Sequence, residues 1–214
     1  MTGDLSSRFL KEEASRLAQE NDDLRQQVLA LRQSVRALSA LFDVSARIDT
    51  KVDVRQLLSE ILDTSLQVLK AEEGALLLVD EASGALVFSV VRGTGADSLV
   101  GAWLPAGLGI AGWVAEHRQP QVVQDVRRDP RFYPEVDDIF GFRTRSMVCV
   151  PVLLDDGRLL GLIQVLNQVT DREFDQDDLD LMLIVAQLAA TAMRRAERVI
   201  EAADRPKAPA PPAA

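Results

Sequence analysis

The chain has 214 residues, 47% hydrophobic and 27% charged, which suits one globular domain with extensions. Its net charge of −9 disfavours nucleic acid or an anionic membrane as the main partner, because both require a basic surface. No apolar run is long enough to cross a bilayer, so we expect a cytoplasmic protein without a membrane anchor. The single cysteine, Cys149, and the single histidine, His117, exclude an intrachain disulfide, a metal site with several cysteines and any mechanism that needs two histidines.

The N-terminal region is predicted to form one long helix. Residues 5–50 contain neither proline nor glycine and are rich in residues that lose little side-chain entropy in a helix. Leucine recurs at every seventh position, as at the d position of a heptad repeat. The alternative is an amphipathic helix packed on its own domain, but the apolar face of such a helix is usually wider. We therefore predict a coiled coil over residues 1–37.

The heptad also predicts a parallel homodimer. Leucine at d with Val28 and Val35 at a favours two strands. Asn21 occupies another a position, where the two amides of a parallel pair can fix the register and the number of chains. The residues expected to form the interface are Leu10, Leu17, Asn21, Leu24, Val28, Leu31, Val35 and Leu38.

A globular domain is predicted over residues 38–203. Its first helix is expected to start at Asp53, which can cap it with Gln56 at the reciprocal position, and to end near Lys70. After this helix the spacing of apolar residues changes from the period of a helix to that of a strand.

Two apolar hairpins are predicted next. Residues 75–79 and 86–91 are joined through a five-residue turn at 80–84, and residues 147–154 and 159–166 flank an Asp-Asp-Gly-Arg turn. A third short strand is expected around residues 101–104. The last two strands are apolar on both faces, so both faces of the sheet are expected to be covered.

A long connection over residues 105–145 separates the hairpins and is expected to hold short helices and loops. A connection of this length inside a compact domain usually has a function, such as ligand binding. The order of elements predicts an α+β fold. Helices should cover one face of an antiparallel central sheet, with the crossing segment on the other face and the coiled-coil helix ahead of the domain.

The last helix is expected to run from Asp175, its cap, to Ala203. Residues 204–214 hold four prolines among alanines and are predicted to be disordered, because they cannot bury a core. The helix carries an apolar seam, which predicts a four-helix bundle of terminal helices at the dimer axis. The seam consists of Leu179, Met182, Ala186, Ala189, Met193, Ala196 and Ile200.

Several motifs carry a family resemblance. They are GLGIAGWVA at 107–115, QP at 119–120, DPRF at 129–132, RSMVCVPV at 145–152, GLIQVLN at 161–167 and FDQDDL at 174–179. In this order and with these gaps, they resemble the GAF domains of bacterial signalling proteins. The resemblance implies a sensory or regulatory module that dimerises, binds a small ligand or a signalling protein, and is not an enzyme. The alternative is a structural dimerisation scaffold whose pocket is filled by its own side chains.

In the fold that this resemblance implies, ligands lie between the sheet and the crossing segment. Gln164 and Ser89 are polar residues in apolar strands. If they face a cavity, ligand binding is favoured, and if they bind backbone groups, the scaffold is favoured. Arg145, or Arg127 with Arg128, could meet a phosphate through paired hydrogen bonds. The candidate ligand-binding residues are Trp103, Phe132, Tyr133, Ile139, Phe140, Arg145, Met147 and Gln164.

Members of this family that bind cyclic nucleotides are thought to pair the lysine of an Asn-Lys dipeptide with a later aspartate. The dipeptide here is Asn167-Gln168, so that ion pair cannot form, although Phe174 and Asp178 match the pattern. We therefore do not expect a cyclic nucleotide, and no cofactor is predicted.

No catalytic or metal-binding arrangement is predicted. Cys149 lies in an apolar strand, where a buried structural residue is a simpler interpretation than attachment of a bilin pigment. His117 is expected at the exposed polar end of a short helix rather than as a haem ligand. The pairs 137–138 and 177–178 are interpreted as solvated aspartates at helix ends.

Overall fold

The computed structural model describes residues 13, 15–17, 19–21, 54–141, 143–169 and 172–204. The chain separates into two units, Met1–Ala37 and Leu38–Ala214. In the first unit the described residues are helical, and Leu17 is 52% exposed, so its side chain is not buried within a single chain. Asn21 is exposed as well, and the other six residues of the predicted dimer interface lie outside the described residues, as does the Pro/Ala tail after Asp204. The coiled coil and the dimer stay predictions.

The second unit is built on a six-stranded sheet in the order β3-β2-β1-β6-β5-β4, and every neighbouring pair is antiparallel. The predicted α+β fold class is confirmed. In chain order the elements are α1 (Val54–Leu69), β1 (Ala71–Val79), β2 (Leu86–Arg92), α2 (Ala96–Leu99), β3 (Trp103–Leu104), α3 (Gly109–His117), β4 (Gln121–Val123), a 3-10 turn (Val126–Arg128), α4 (Glu135–Phe140), β5 (Met147–Leu153), β6 (Leu159–Gln168) and α5 (Gln176–Asp204).

The two long helices pack against each other and cover one face of the sheet. Helix α1 packs on β1, β2 and β6, and α5 packs on β5. The helix can approach closely at Gly74 in β1, where a Cβ would stand 3.0 Å from Leu66 and 2.5 Å from the Gln164 carbonyl oxygen. Glycine is required there because any side chain would separate the layers.

The apolar seam of α5 belongs to this intramolecular core. Met182 and Ala189 are fully buried within one chain, and Leu179, Ala186 and Ala196 are nearly so. Packing on a sheet produces the same three-and-four spacing as a helix bundle. The prediction that these five residues form a bundle at a dimer axis is therefore wrong.

The start of α5 has a capping box built on Asp175, the predicted cap. The backbone N–H of Asp178 donates to Asp175 Oδ1 at 3.1 Å, and that of Asp175 donates to Asp178 Oδ2 at 3.0 Å. Phe174 is fully buried just before the helix. The interpretation of Asp178 as a solvated helix-end residue is wrong, because its carboxylate is used in the cap and is only 3% exposed.

The crossing segment covers the other face of the sheet. Helix α3 packs on β5 and β6, and the side chains of Ala75, Leu77 and Cys149 meet it there. Helix α2 and strand β4 were not predicted, because four-residue and three-residue elements are too short for a periodic pattern. None of the helices in the described part of the chain combines the length and apolar character needed to cross a bilayer.

Candidate functional site

A small cavity of about 70 Å³ lies between the sheet and the crossing segment. Its wall is mostly apolar and includes three aromatic rings, and three polar residues reach it from different elements. No lysine or arginine lines it among the described residues. The aromatic and polar wall residues are Phe88, Phe132, Tyr133, Asp137, Thr144 and Gln164.

Four of the predicted site residues come together at this cavity. Phe132 and Tyr133 line it from the loop before α4, Met147 from β5 and Gln164 from β6. Phe140 lies in α4, but its side chain is outside the described part of the structure.

Three of the predicted residues lie elsewhere. Trp103 is 58% exposed, because strand alternation directs it away from the covered face to which its neighbour Leu104 points. Ile139 is 72% exposed on the outer side of α4, whose inner side carries Asp137. Arg145 is exposed and lines a separate groove.

The two diagnostic polar residues divide between the two expectations. Gln164 is 7% exposed and faces the cavity, and its only described side-chain contact is a long one from Nε2 to Cys149 Sγ at 3.8 Å. Burial raises the pKa of the Cys149 thiol to about 12 despite that contact. Ser89 instead donates its hydroxyl to the Val87 carbonyl at 3.2 Å. The polar wall at Gln164 supports ligand binding, whereas Ser89, which binds a backbone carbonyl, supports the structural scaffold.

Asp137 fastens α4 over the cavity. Its Oδ2 accepts hydrogen bonds from the Thr144 N–H at 2.8 Å and from Arg127 at 2.6 Å, and its Oδ1 accepts from the Thr144 hydroxyl at 2.7 Å. The Arg127 guanidinium also lies over the Phe132 ring, 5.0 Å from its centre. Asp137 is 4% exposed, so its interpretation as a solvated residue is wrong. No sequence signal indicated this role, since an acid in the first turn of a helix is favoured by the helix dipole alone.

Arg131 organises the loop that carries Phe132. Its guanidinium forms a two-pronged contact with Asp129, donates to Gln121 at 3.1 Å and lies 4.6 Å from the centre of the Trp113 ring. These contacts join β4, α3 and the loop before α4. The DPRF motif thus positions one wall of the cavity.

The burial predicted for Cys149 and the exposure predicted for His117 are both confirmed. Cys149 is fully buried in β5. His117 is exposed at the end of α3, with its ring stacked 4.2 Å from that of Trp113. In the part of the chain that the structure describes, no group of three or more histidine, cysteine, aspartate or glutamate residues is placed to hold a metal ion.

The site thus lies on a six-stranded antiparallel sheet that carries two helices on one face and a cavity under the crossing segment on the other. Residues 53–193 match the GAF domain family. The chain belongs to this family, whose members are sensory and regulatory modules.

Similar proteins include enzymes much longer than this chain. The chain is 31% identical over 173 residues to the dual 3',5'-cyclic-AMP and -GMP phosphodiesterase 11 of Drosophila melanogaster, a match that covers 73% of this chain and 12% of that protein. The matched part is thus a small fraction of the phosphodiesterase.

Two solved structures share the fold. The GAF domain of a phosphoenolpyruvate-protein phosphotransferase from Coxiella burnetii is 20% identical, with a TM-score of 0.66, and 78% of this chain and 96% of that one are covered. Residues 122 to 287 of a methyl-accepting chemotaxis protein are 27% identical, with a TM-score of 0.62, and 73% and 98% are covered.

Proposed function

We propose that this GAF domain is a non-catalytic sensory module that dimerises and binds a small ligand in the cavity under α4. The observation that carries the proposal is the composition of the cavity wall, which is apolar and aromatic with a few fixed polar groups, as in small-molecule sites. The amide of Gln164 is the polar group best placed to meet a ligand, because only the distant Cys149 sulfur occupies it.

The cavity wall favours a neutral, flat molecule. Phe88, Phe132 and Tyr133 offer ring faces and edges on which an aromatic ligand can pack. The one acid, Asp137, is already paired with Arg127. A cyclic nucleotide would bring a phosphate to a wall without a cation, so a neutral ligand suits this cavity better.

The cavity volume supports a second candidate, a structural scaffold with a self-filled pocket. A volume of about 70 Å³ is well below the roughly 300–1,000 Å³ of typical ligand sites. A drug-sized ligand therefore requires α4 to move outward, which means releasing Asp137 from Thr144. If α4 does not move, the rings remain core residues and the domain serves only to join subunits.

A ligand screen with matched variants tests the proposal. Metabolites are screened by thermal shift, with cyclic AMP and cyclic GMP included, and each hit is titrated against the full chain by calorimetry. Gln164→Leu should weaken binding at least about tenfold, because a buried hydrogen bond to the ligand is lost. Gln67→Leu, an equal change on the exposed side of α1, should leave the affinity unchanged.

Three results would overturn the proposal. If no compound raises the melting temperature, the scaffold is favoured. If a hit binds equally well to Gln164→Leu, the ligand lies elsewhere. If cyclic AMP or cyclic GMP binds at the cavity, the predicted ligand class is wrong.

The sheet offers a route by which such a ligand could act on the helices. Gln164 faces the cavity, whereas its neighbours in β6, Ile163 and Val165, are fully buried on the helix side of the sheet. A displacement of β6 at Gln164 therefore moves residues beneath α1. We propose that a dimer partner or a signalling protein senses this change in helix packing.

A further inference from the structure

A second concave surface lies beside the cavity and is lined largely by polar and charged residues. We name it the arginine groove. Its lining residues include Glu73, Arg127, Arg143, Thr144, Arg145 and Asn167. Three arginines against one glutamate make the groove basic, in a chain whose net charge is −9. We propose that the arginine groove binds the multiply charged oxyanion group of a small molecule through Arg143 and Arg145.

The two arginines are placed to act together. They lie two residues apart on either side of the buried Thr144, and both line the groove. Both are exposed, and neither guanidinium has a hydrogen bond or ion pair with the residues that the structure describes. Two neighbouring cations that are not paired with a carboxylate repel each other, and an oxyanion bound between them would remove that repulsion.

Asn167 fixes the backbone that carries these arginines. Its Oδ1 accepts a hydrogen bond from the Arg145 N–H at 2.8 Å, and its Nδ2 donates to the Arg143 carbonyl at 3.0 Å and to the Glu73 carboxylate. Asn167 has a φ of 49°, a left-handed conformation that asparagine adopts more readily than most residues. The arginines therefore start from a preorganised backbone, which lowers the entropic cost of binding an anion.

Gln168 provides an independent sign that the groove takes a ligand. It lines the groove and is 7% exposed, and its Nε2 donates to the Leu69 carbonyl at 3.3 Å. Its Oε1 is buried without a hydrogen-bond partner among the described residues. Buried polar atoms are rarely left unpaired, so an O–H or N–H group on the bound molecule would satisfy it.

The groove and the cavity are separate sites with a common wall. Thr144 lines both, and Arg127 joins the groove to Asp137 in the cavity wall. Arg143 and Arg145 line the groove and are absent from the cavity wall. The two arginines that would bind the oxyanion are therefore distinct from the residues that line the cavity.

The probes are inorganic pyrophosphate and citrate, titrated by calorimetry into the full chain at constant ionic strength. A phosphorylated molecule and a polycarboxylate share oxyanion chemistry, and stronger binding of one probe shows which is the natural class. We expect saturable binding of at least one probe. The double variant Arg143→Ala/Arg145→Ala should bind it at least about tenfold more weakly, because the charge-assisted hydrogen bonds are removed.

Two further variants distinguish specific binding in the arginine groove from nonspecific electrostatic attraction to the protein. Arg128→Ala removes one positive charge from an 88% exposed side chain paired with Asp125 outside the groove, and its affinity should equal that of the native protein. Asn167→Gly keeps the backbone conformation but removes the side-chain hydrogen bonds to the backbone of Arg143 and Arg145. The affinity for the oxyanion should therefore fall several-fold with no change of charge.

The proposal is overturned if neither probe binds at millimolar concentration, or if Arg128→Ala weakens binding as much as the double variant does. Because the double variant changes exposed side chains, its melting temperature should match that of the native protein. Binding of a cavity ligand should persist in the double variant, so failure here is distinguishable from failure of the proposed sensory function.

Discussion

The carboxylate of Asp178 accepts a hydrogen bond from the guanidinium of Arg172, with 2.6 Å between Oδ1 and Nη2. The motif of cyclic-nucleotide-binding relatives would supply this partner from a lysine in β6. Here that position is Gln168, which binds the Leu69 carbonyl instead. The buried aspartate thus keeps a cation, but the cation comes from the loop before α5 and also contacts Asp175.

Arg172→Gln should therefore destabilise the domain by about 1–2 kcal/mol. Removing one partner of a fully buried ion pair would destabilise the protein more than this. Arg172 is half exposed, however, and solvent screens part of its charge. The free energy of unfolding in urea measures the effect. Arg194→Gln is the matched control, because Arg194 pairs with the 84% exposed Asp155 and should cost at most about 0.5 kcal/mol. An equal decrease in the free energy of unfolding in the two variants would contradict a special role for the ion pair of Arg172 with the buried Asp178.

Asp137→Ala should loosen α4. The change leaves the N–H of Thr144 and the Arg127 guanidinium without their acceptor, at a cost of about 2–3 kcal/mol. We expect faster amide hydrogen exchange over residues 135–140 than elsewhere in the domain. Asp138→Ala removes an exposed acid from the same helix and should change neither exchange nor stability appreciably. If exchange rises uniformly through the sheet, Asp137 does not act locally on α4.

Asp129→Asn should reduce stability at neutral pH but not in acid. The side-chain hydrogen bond from Arg131 lowers the pKa of Asp129 below its ordinary value of 3.8. The stabilisation is therefore complete above pH 3.8 and is lost as the pH falls through the lower folded-state pKa. Unfolding of the two proteins should differ by about 1–2 kcal/mol at pH 7 and converge below pH 3.8. A constant difference between the two proteins at all pH values would refute the linkage.

Cys149 should be inert in the folded protein. Burial raises the pKa of its thiol from 9.0 to about 12, so a thiol reagent at pH 8 should modify it only as the protein unfolds. The thiol ionises at a lower pH in the unfolded chain than in the folded protein. The free energy of unfolding should therefore fall as the pH rises from 9.0 towards 12. Cys149→Ala should cost no more than about 1–2 kcal/mol, and His117→Gln should be nearly neutral. Rapid labelling of the native protein, or a coloured cofactor lost in either variant, would show that the residue has another role.

The dimer prediction depends on the N-terminal heptads. Removal of residues 1–36 should weaken self-association strongly, and Asn21→Val should stabilise the assembly while permitting higher oligomers. Sedimentation at micromolar concentration measures both effects. A full-length chain that sediments as a monomer would exclude the coiled-coil dimer.

The sheet and its helical layer could be predicted because their signals are local. The apolar runs of β1, β2, β5 and β6 alternate or are continuous as buried strands require, and Asp175 and Asp178 mark the start of α5. The order of these elements then left few ways to build the domain.

The cavity wall could be predicted only in part, because side-chain direction depends on tertiary contacts. The sequence shows that Trp103 and Phe132 are aromatic, but not that an edge strand turns one to solvent and Arg131 turns the other inward. In the same way, the three-and-four spacing of α5 does not reveal whether a sheet or another helix covers it. Asp137 acquires its role only where Thr144 approaches it in space.

The pairing of β1 with β6 at the centre of the sheet has a consequence for synthesis of the chain. Ala71 lies opposite Gln168, and Leu78 lies opposite Gly161, so the central ladder joins strands that are far apart in sequence. When the chain emerges from a ribosome, the β1–β2 hairpin is complete long before β6 exists, and the free edge of β1 displays unpaired amides and carbonyls. Closure of so long a loop is slow compared with formation of a hairpin. The nascent domain is therefore most vulnerable to aggregation in the interval before β6 arrives.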